Sequence, residues 1–270
     1  MNLPESRVAL AFMAHPDDAE FLCAGTLVRL AQAGWEIHIA TAAPGDCGTT
    51  TETRWAISAR RTEEATRSVA LLGGHYHCLD ERDLFIVYDK PTIGKTIDLF
   101  RRIAPTLVFT HAPKDYMPDH EQVSLLARMG SFGYAAPNAS QFPVRAGSRI
   151  PHLYYCDTLE GIDFLGHPLQ PTTWVDITSQ MEQKTAMLAA HVSQRQWLLD
   201  HHGIDEYLDS MKRQVARRGG EIGVPAAEAF VQHRGHAYPR EDLLATIFGK
   251  QTPRTIGFGQ RTGNHDTPAQ

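Results

Sequence analysis

A histidine and two aspartates stand side by side near the amino terminus, in the segment Ala14-His15-Pro16-Asp17-Asp18. This segment follows an apolar run, residues 8–13, that we predict to be a buried strand, and it precedes a predicted helix over residues 20–33. In open α/β sheets, ligands bind beyond the carboxyl ends of the strands. The proline fixes its own φ and biases the histidine before it towards an extended backbone. These side chains therefore cannot retreat onto a helix face.

The charge of this segment needs a partner, and a divalent metal ion would supply one. His15 and Asp18 would give a nitrogen and an oxygen ligand, while Asp17 would stay free as a general base. A second loop, Pro118-Asp119-His120, follows another predicted strand. Its histidine could complete a set of two imidazoles and one carboxylate, which leaves positions open for water and substrate. Such an open set is typical of catalytic metal sites.

Charge and cysteine usage narrow the function classes. The chain of 270 residues has a formal net charge of -5 and no block rich in lysine or arginine, so we expect no nucleic-acid partner. The four cysteines lack a Cys-x-x-Cys pair, which favours reduced thiols over a disulfide framework. The first apolar run has no basic flank, and no stretch approaches the roughly 20 apolar residues of a membrane span. We expect a cytoplasmic protein that does not bind membranes.

Short apolar runs rich in β-branched residues alternate with amphipathic stretches, which is typical of parallel strands joined by right-handed helical crossovers. We predict an α/β fold, specifically a three-layer αβα Rossmann-like sandwich with a mostly parallel sheet and a helical C-terminal extension. One domain is expected over residues 1–250, with its core at about 5–180 and its helical part at about 181–250. A loose polar tail is expected at residues 251–270. The predicted strands are 8–13, 36–41, 75–79, 106–110, 152–156 and 173–177, and the predicted helices include 20–33, 57–72, 92–103, 179–191, 194–200, 204–216 and 240–248.

Several segments, taken in order, resemble the PIG-L or LmbE-like family, which contains N-acetylglucosaminyl-phosphatidylinositol and mycothiol-pathway deacetylases. The ordered combination, which covers about the first two hundred residues, is far more specific than any single motif. The matching segments are Ala14-His15-Pro16-Asp17-Asp18, Gly45-Asp46-x-Gly48, Arg61-x-x-Glu64, Pro118-Asp119-His120, Val175-Asp176-Ile177-Thr178, Lys184 and His191-x-Ser193-Gln194.

The resemblance implies a zinc site and a base. His15, Asp18 and His120 correspond to the zinc ligands, and Asp17 corresponds to the general base that takes a proton from the attacking water. Asp119 would orient a metal-bound imidazole by accepting a hydrogen bond from the ring nitrogen that does not bind the metal. Nitrogen and oxygen ligands suit zinc, although iron, cobalt or manganese can occupy such a set.

Contacts to the substrate are expected from polar residues around this set. Three side chains are candidates for binding sugar hydroxyl groups, although surface salt bridges would give the same pattern: Asp46, Arg61 and Asp83. Two histidines, His111 and His191, could line the pocket. The remaining histidines with no partner at ligand spacing are interpreted as core, cap or surface residues: His38, His75, His77, His152, His167, His201 and His202.

One position departs from the family pattern. Many relatives carry a histidine two positions before the aspartate of the second loop, where it stabilises the tetrahedral oxyanion, and this chain has Met117 there. Methionine cannot donate that hydrogen bond. Either the metal alone stabilises the oxyanion, or another donor substitutes. His233 or His236 could be that donor, in the same site or in a neighbouring subunit's site of a homo-oligomer, and the alternative is that both are exposed loop residues.

These observations favour a zinc-dependent hydrolase that removes an N-acetyl group from an amino sugar or an N-acetylglucosamine-containing conjugate. A first alternative is the same site acting on a different amide, such as a thiol conjugate or a secondary metabolite. A second alternative is a Rossmann-like sugar-binding protein without catalysis. The second is disfavoured because the first strand-to-helix turn has no Gly-x-Gly-x-x-Gly sequence, and its carboxylates would repel a pyrophosphate.

Overall fold

The structure is a computed structural model, and it describes residue 4, residues 6–202 and residues 207–253, with no side-chain description for residues 200–202. Over that part of the chain, seven strands form one sheet in the order β3-β2-β1-β4-β5-β7-β6. The strands are β1 (Val8–Met13), β2 (Glu36–Thr41), β3 (His75–Cys78), β4 (Leu107–Thr110), β5 (His152–Cys156), β6 (Thr173–Asp176) and β7 (Ala227–Gln232). The helices are α1 (Asp18–Leu22), α2 (Ala24–Gln32), α3 (Arg54–Ala70), α4 (Lys90–Ile103), α5 (Pro118–Gly133), α6 (Met181–Ala189), α7 (Val192–His202), α8 (Tyr207–Ile222) and α9 (Leu243–Phe248).

The first five strands of the chain run parallel to one another, and β7 lies antiparallel between β5 and β6. Strand β1 is buried along its whole length because its two faces belong to separate cores. One core includes α2 and α6, and the other includes α4 and α5. Burial on both faces explains why β1 is continuously apolar in sequence. The predicted αβα sandwich with a mostly parallel sheet is confirmed.

Two helices begin earlier than the sequence predicts, because capping side chains set their first residues. Helix α3 begins at Arg54 because the Thr53 hydroxyl accepts a hydrogen bond from the Ala56 amide. Helix α4 begins at Lys90 because the Asp89 carboxylate accepts one from the Thr92 amide, with a proline in the first turn. Residues 204–206 of one predicted helix, and residues 254–270 of the predicted tail, lie outside the described residues. The division into one domain plus a tail stays a prediction.

The single helix expected over residues 20–33 is wrong, because the chain breaks at Cys23 into α1 and α2. The break leaves helix-end groups that two buried side chains bind. The Lys184 ammonium donates to the carbonyl oxygens of Glu20 and Phe21 at 2.9 and 2.7 Å. The Glu228 carboxylate accepts from the amides of Gly25 and Thr26 at 2.8 and 2.7 Å. The two helix ends are therefore satisfied by opposite charges from distant parts of the chain.

Strand β7 was not expected from the sequence, which predicts a mainly helical C-terminal part. Its second residue, Glu228, is buried, and a buried carboxylate contradicts the apolar pattern by which central strands are recognised. The charge is compensated by Lys184, whose Nζ lies 2.7 Å from Glu228 Oε1. The partner comes from α6, so only the tertiary structure explains why this strand can be buried.

Replacing Lys184 by methionine should lower the free energy of unfolding by about 3–5 kcal/mol, because Glu228 would keep a buried and uncompensated charge. Urea unfolding followed by circular dichroism measures the change. The matched control is Lys212→Met, since Lys212 is exposed and pairs with Asp209 at 3.4 Å on the surface of α8. That control should lose about 0–1 kcal/mol. Equal losses in the two variants would contradict the assignment of Lys184 as the compensating charge.

Candidate metal centre

The turn between β1 and α1 places three polar side chains at the carboxyl edge of the sheet. The His15 amide donates to Asp18 Oδ2 at 2.7 Å, which closes the turn. Asp17 has a φ of 98°, in the left-handed region that non-glycine residues rarely adopt. Backbone strain of this kind is concentrated at functional sites. The strained residue here is the one expected to act as a base.

His15, Asp18 and His120 each offer a ligand atom, and these atoms all lie within 4.8 Å of one another. His15 Nδ1 lies 3.5 Å from Asp18 Oδ2, and His120 Nε2 lies 3.6 Å from Asp18 Oδ1. His15 comes from the first turn, and His120 comes from the start of α5, which follows the neighbouring parallel strand β4. The two loops are thus brought together at one edge of the sheet. Two imidazole nitrogens and one carboxylate oxygen are a donor set that fits a catalytic zinc ion.

Each of the two imidazoles pairs with a further carboxylate through the ring nitrogen that faces away from Asp18. Asp119 Oδ2 lies 3.2 Å from His15 Nε2, and Asp115 Oδ1 lies 2.9 Å from His120 Nδ1. In each ring the other nitrogen is directed towards Asp18. Carboxylate–histidine pairs of this kind fix the tautomer and orientation of metal-bound imidazoles. The second pair is therefore an independent reason why these residues fit a metal ion.

The ionisable groups of this cluster strongly shift one another's pKa values. Burial lowers the pKa of His15, but the carboxylates of Asp119 and Asp18 outweigh it and raise the pKa to about 10. Burial raises the pKa of Asp18, but the imidazoles of His120 and His111 outweigh it and hold the pKa well below its usual range. Asp18 therefore stays ionised and surrounded by groups that favour its negative charge.

His111 contacts both Asp18 and His120. Its Nε2 accepts from the Ala14 amide at 3.0 Å and lies 3.2 Å from Asp18 Oδ2. Its ring stacks on His120 with centroids 3.8 Å apart. Burial and the neighbouring His120 lower the pKa of His111. His111 is fully buried, so the expectation that it lines the pocket is wrong, and it instead supports the ring of His120.

Asp17 points away from Asp18 and has its own partners. The Tyr207 hydroxyl donates to Asp17 Oδ2 at 2.7 Å, and Arg61 Nη2 lies 3.7 Å from Asp17 Oδ1. Burial, together with the neighbouring Asp18 carboxylate, raises the pKa of Asp17 above its usual value, and Arg61, His191 and Tyr207 only partly offset the rise. Burial also raises the pKa of Tyr207 well above its usual range, so the phenol remains a donor. The two adjacent aspartates thus lie in different environments.

Arg61 explains the glycines of the segment Gly45-Asp46-x-Gly48. A Cβ atom at Gly45 would lie 2.4 Å from the Arg61 guanidinium, and one at Gly48 would lie 2.7 Å from it. Gly45 also has a φ of 84°, which favours glycine. The guanidinium donates to the Pro16 carbonyl at 2.9 Å, next to Asp17. The loop after β2 therefore packs against the arginine that supports the strained turn.

A pocket of about 790 Å³ lies over these groups. Its floor includes His15, Asp17, Asp18 and His120, and its walls are largely apolar or aromatic. The apolar and aromatic wall residues are Phe21, Leu22, Leu84, Tyr116, Met117, Leu159, Trp197, Leu198 and Tyr207. Concave apolar pockets with a few convergent polar groups are typical ligand sites.

Comparisons with known proteins agree with this geometry. Residues 10–129 match the family model described as PIG-L, GlcNAc-PI de-N-acetylase. The diacetylchitobiose deacetylase of Thermococcus kodakarensis is 27% identical over 191 residues, 68% of this chain and 69% of that protein. The crystal structure of N,N'-diacetylchitobiose deacetylase from Pyrococcus horikoshii has a TM-score of 0.71 and 25% identity, covering 88% of this chain and 89% of that one. Over residues 10–129 the chain is therefore similar to the PIG-L, or LmbE-like, family. The resemblance inferred from the sequence motifs is confirmed.

A relative with a different activity also matches this chain. The 4-oxalmesaconate hydratase of Pseudomonas putida is 25% identical over 250 residues, 89% of this chain and 92% of that protein. The proteins that this chain resembles therefore include two named as deacetylases and one named as a hydratase. Over the described residues, no helix is both long enough and apolar enough to cross a membrane.

The expected sugar contacts divide into two groups. Arg61 and Asp83 line the pocket. Asp46 instead cross-links two loops, since its carboxylate accepts from Arg82 Nε at 3.1 Å and from the Asp83 amide at 2.9 Å. His191 is fully buried, with its Nε2 3.1 Å from Glu20 Oε1. The expectation that His191 lines the pocket is therefore wrong, because no part of its side chain reaches the cavity.

The C-terminal histidines do not reach the pocket of their own chain. Strand β7 runs antiparallel to β5, so the residues after it lie at the amino end of the parallel strands, opposite to the candidate site. The His233 amide accordingly donates to the Leu153 carbonyl at 2.8 Å, and its Nδ1 pairs with the Tyr155 hydroxyl at 2.8 Å. His236 is exposed. The expectation that either residue completes this chain's own site is wrong, and a contribution to a neighbouring subunit stays a prediction.

Two residues of the candidate site were missed in the sequence. Asp115 lies in the same loop as His120, five positions earlier, and a carboxylate at that distance could have been considered as a partner. Tyr207 carries no such signal, because it begins α8 and is separated from Asp17 by 190 positions. Only the packing of α8 over the first turn brings the phenol to the carboxylate.

Replacing Asp115 by asparagine should weaken metal binding by about 10–100-fold, because the His120 ring would lose the carboxylate that orients it. Competition with a fluorescent zinc chelator measures the affinity. The matched control is Asp163→Asn, which removes a carboxylate 3.2 Å from the exposed His167. The control should bind zinc as wild type does. An unchanged affinity in Asp115→Asn would show that His120 does not bind the metal in this orientation.

Proposed function

We propose that this protein is a metal-dependent hydrolase that removes an N-acetyl group from an amino sugar or an N-acetylglucosamine-containing conjugate. The observation that carries the proposal is the presence, in one pocket, of an open set of three metal ligands and a separate buried carboxylate with its own partners. The deacetylase relatives support the same reaction class. The expectations of a cytoplasmic location, a homo-oligomer, and no nucleic-acid or membrane partner stay predictions.

The metal would be held by His15, Asp18 and His120, and zinc is the ion that this donor set suits best. When bound, such an ion lowers the pKa of a water molecule and polarises a carbonyl group. Asp119 and Asp115 would keep the two imidazoles in place by accepting their other N–H groups. These five side chains supply no proton transfer of their own.

Asp17 would act as the proton acceptor and then as the proton donor. Its carboxylate lines the pocket beside Asp18, so it can accept a proton from the attacking water and later return it to the leaving amine. Burial raises the pKa of Asp17, and Tyr207 and Arg61 partly offset this rise by favouring the ionised form that a base requires. The left-handed backbone at this residue holds the carboxylate apart from the metal ligands.

The oxyanion has fewer donors than the family pattern would give. Met117 lines the pocket, and its thioether is not a donor. The neighbouring Tyr116 lines the same pocket with its ring edge-on to His120, the centroids being 5.3 Å apart. A phenol at this position can donate a hydrogen bond. We infer that Tyr116 takes over part of the stabilisation that a histidine at position 117 would provide.

Hydration of an unsaturated carboxylate is the second candidate function, because the hydratase relative matches most of the chain. The charges of the pocket argue against it. Within the described part of the chain, the pocket lining has four aspartates and, as its sole arginine or lysine, Arg61. That guanidinium already binds Pro16 and faces Asp17. Beyond the metal ion, a substrate with several carboxylates would find only this engaged guanidinium among the arginines and lysines of the lining, whereas a neutral amide needs no further cation.

The decisive assay offers the zinc-loaded enzyme both kinds of substrate. We expect acetate and free amine from a panel of N-acetylated mono- and disaccharides, and no hydration of unsaturated dicarboxylates and tricarboxylates. Liquid chromatography with mass spectrometry measures both products. The zinc-loaded Asp17→Asn variant serves as the control for contaminating hydrolases. Hydration without acetate release would overturn the proposal in favour of the second candidate.

The base is tested by two substitutions at constant zinc content. Asp17→Asn should lower turnover by about 10²–10⁴-fold, because the proton acceptor is lost. Tyr207→Phe should lower it by about 10-fold or more, because a hydrogen bond to a charged group is worth about 1.5–3 kcal/mol. The matched control is Tyr134→Phe, whose hydroxyl donates to the Arg149 carbonyl at 2.8 Å. Wild-type turnover in Asp17→Asn would sink the assignment of the base.

A further inference from the structure

A second group of histidines lies on strands β2 and β3, away from the pocket. The two strands are parallel, and His38 is paired in register with His75. Alternate residues of a strand point to the same face, so Glu36 and His38 on β2 share a face with His75 and His77 on β3. Strand β3 is the edge of the sheet, and His75 is exposed there. We refer to Glu36, His38, His75 and His77 as the edge cluster.

Two ring nitrogens of the edge cluster lie within hydrogen-bonding distance of each other, and the third imidazole lies beside them. His38 Nδ1 lies 2.9 Å from His77 Nε2, and the two rings are stacked with centroids 5.2 Å apart. The His75 ring centroid lies 5.1 Å from that of His38. On the other side of His38, its Nε2 lies 3.0 Å from Glu36 Oε1. Three imidazoles and a carboxylate are therefore grouped by strand pairing rather than by position in the sequence.

The hydrogen-bond pattern fixes which nitrogen carries a lone pair. Glu36 can only accept, so His38 Nε2 must donate to it, and in a neutral ring His38 Nδ1 then has a free lone pair. Neutral imidazoles are the form that binds metal ions.

We propose that the edge cluster is a second metal site, in which His38 Nδ1, His77 Nε2 and His75 bind a divalent transition-metal ion such as Zn²⁺, Ni²⁺ or Cu²⁺. Glu36 has the role for His38 that Asp119 has for His15, a carboxylate behind a ligating imidazole. The proton shared between the two nitrogens moves to His77 Nδ1, so the ring stays neutral. Imidazole ligands suit these three metals.

Metal binding requires the His38–His77 pair to open slightly and the His75 ring to turn. Two nitrogens bound to a tetrahedral zinc ion at 2.0–2.1 Å lie about 3.3 Å apart, so the 2.9 Å pair has to open by a few tenths of an ångström. The third ring is exposed and can rotate towards the ion. The charged groups that face the cluster are Glu36, which favours a cation, and Arg102, which opposes one. Arg102 is exposed, and its long side chain can turn towards solvent.

Zinc stoichiometry tests this inference independently of the proposed reaction. The full-length protein, without a histidine tag and stripped of metal by a chelator, is titrated with Zn²⁺ by calorimetry, and bound zinc is measured by elemental analysis after gel filtration. We expect two equivalents in wild type and one in His77→Gln. His167→Gln, which removes an exposed histidine elsewhere, should keep two equivalents. Glu36→Gln should weaken the second equivalent by about 10–100-fold.

A spectroscopic test identifies the ligands. Cu²⁺ added to His120→Ala, which lacks a ligand of the candidate catalytic centre, should give an electron paramagnetic resonance spectrum with splitting from at least two nitrogens. The double variant His77→Gln/His120→Ala should lose that splitting while circular dichroism shows an unchanged fold. A zinc stoichiometry that His77→Gln does not lower by one equivalent relative to wild type would overturn the proposal. Turnover of the zinc-loaded His77→Gln variant should equal that of wild type.

Discussion

The carboxylate of Asp18 is the constraint around which the candidate site is built. Its side chain is 14% exposed and lies within 3.6 Å of the imidazole nitrogens of His15, His111 and His120. A carboxylate this enclosed needs positive charge nearby, and three imidazoles on two loops supply a place for it. The carboxylates of Asp119 and Asp115 pair with the rings of His15 and His120 and fix their orientation. Each of these two acids therefore has a basic or metal-binding partner. The same requirement separates the two adjacent aspartates, because only one of them can face the imidazoles.

Asp18 is in place because α1 is short. The helix ends after Leu22, and its last carbonyls are bound by Lys184, while the amides that open α2 are bound by Glu228. An uninterrupted helix over the same residues would offer neither group to these side chains. The buried ion pair thus links α6 and β7 to the turn that carries the metal ligands. Packing far from the pocket therefore adds to the contacts of the loop itself in fixing the position of α1.

Much of the fold could be predicted from the sequence because its strongest signals are local. The apolar runs of β1, β2, β4 and β5 are buried on the core faces of a parallel sheet, and such runs are readable one strand at a time. Strand β7 could not be read in this way. Its buried Glu228 is tolerated only because Lys184 lies beside it in three dimensions, and a sequence pattern does not show a partner 44 positions away. The break at Cys23 was missed for the same reason.

The sequence by itself determined which chemistry is available: two imidazoles, paired aspartates on turns after parallel strands, and glycines beside an arginine. These residue types and their order were enough to indicate the family and a metal-dependent site. The tertiary structure decided which groups meet. It buried His111 and His191 and placed His233 at the amino ends of the parallel strands, opposite to the site. It also brought Tyr207 to Asp17 and His77 to His38. The physical reason is that donors and acceptors act over about 3 Å, and separation along the chain says little about distance at that scale.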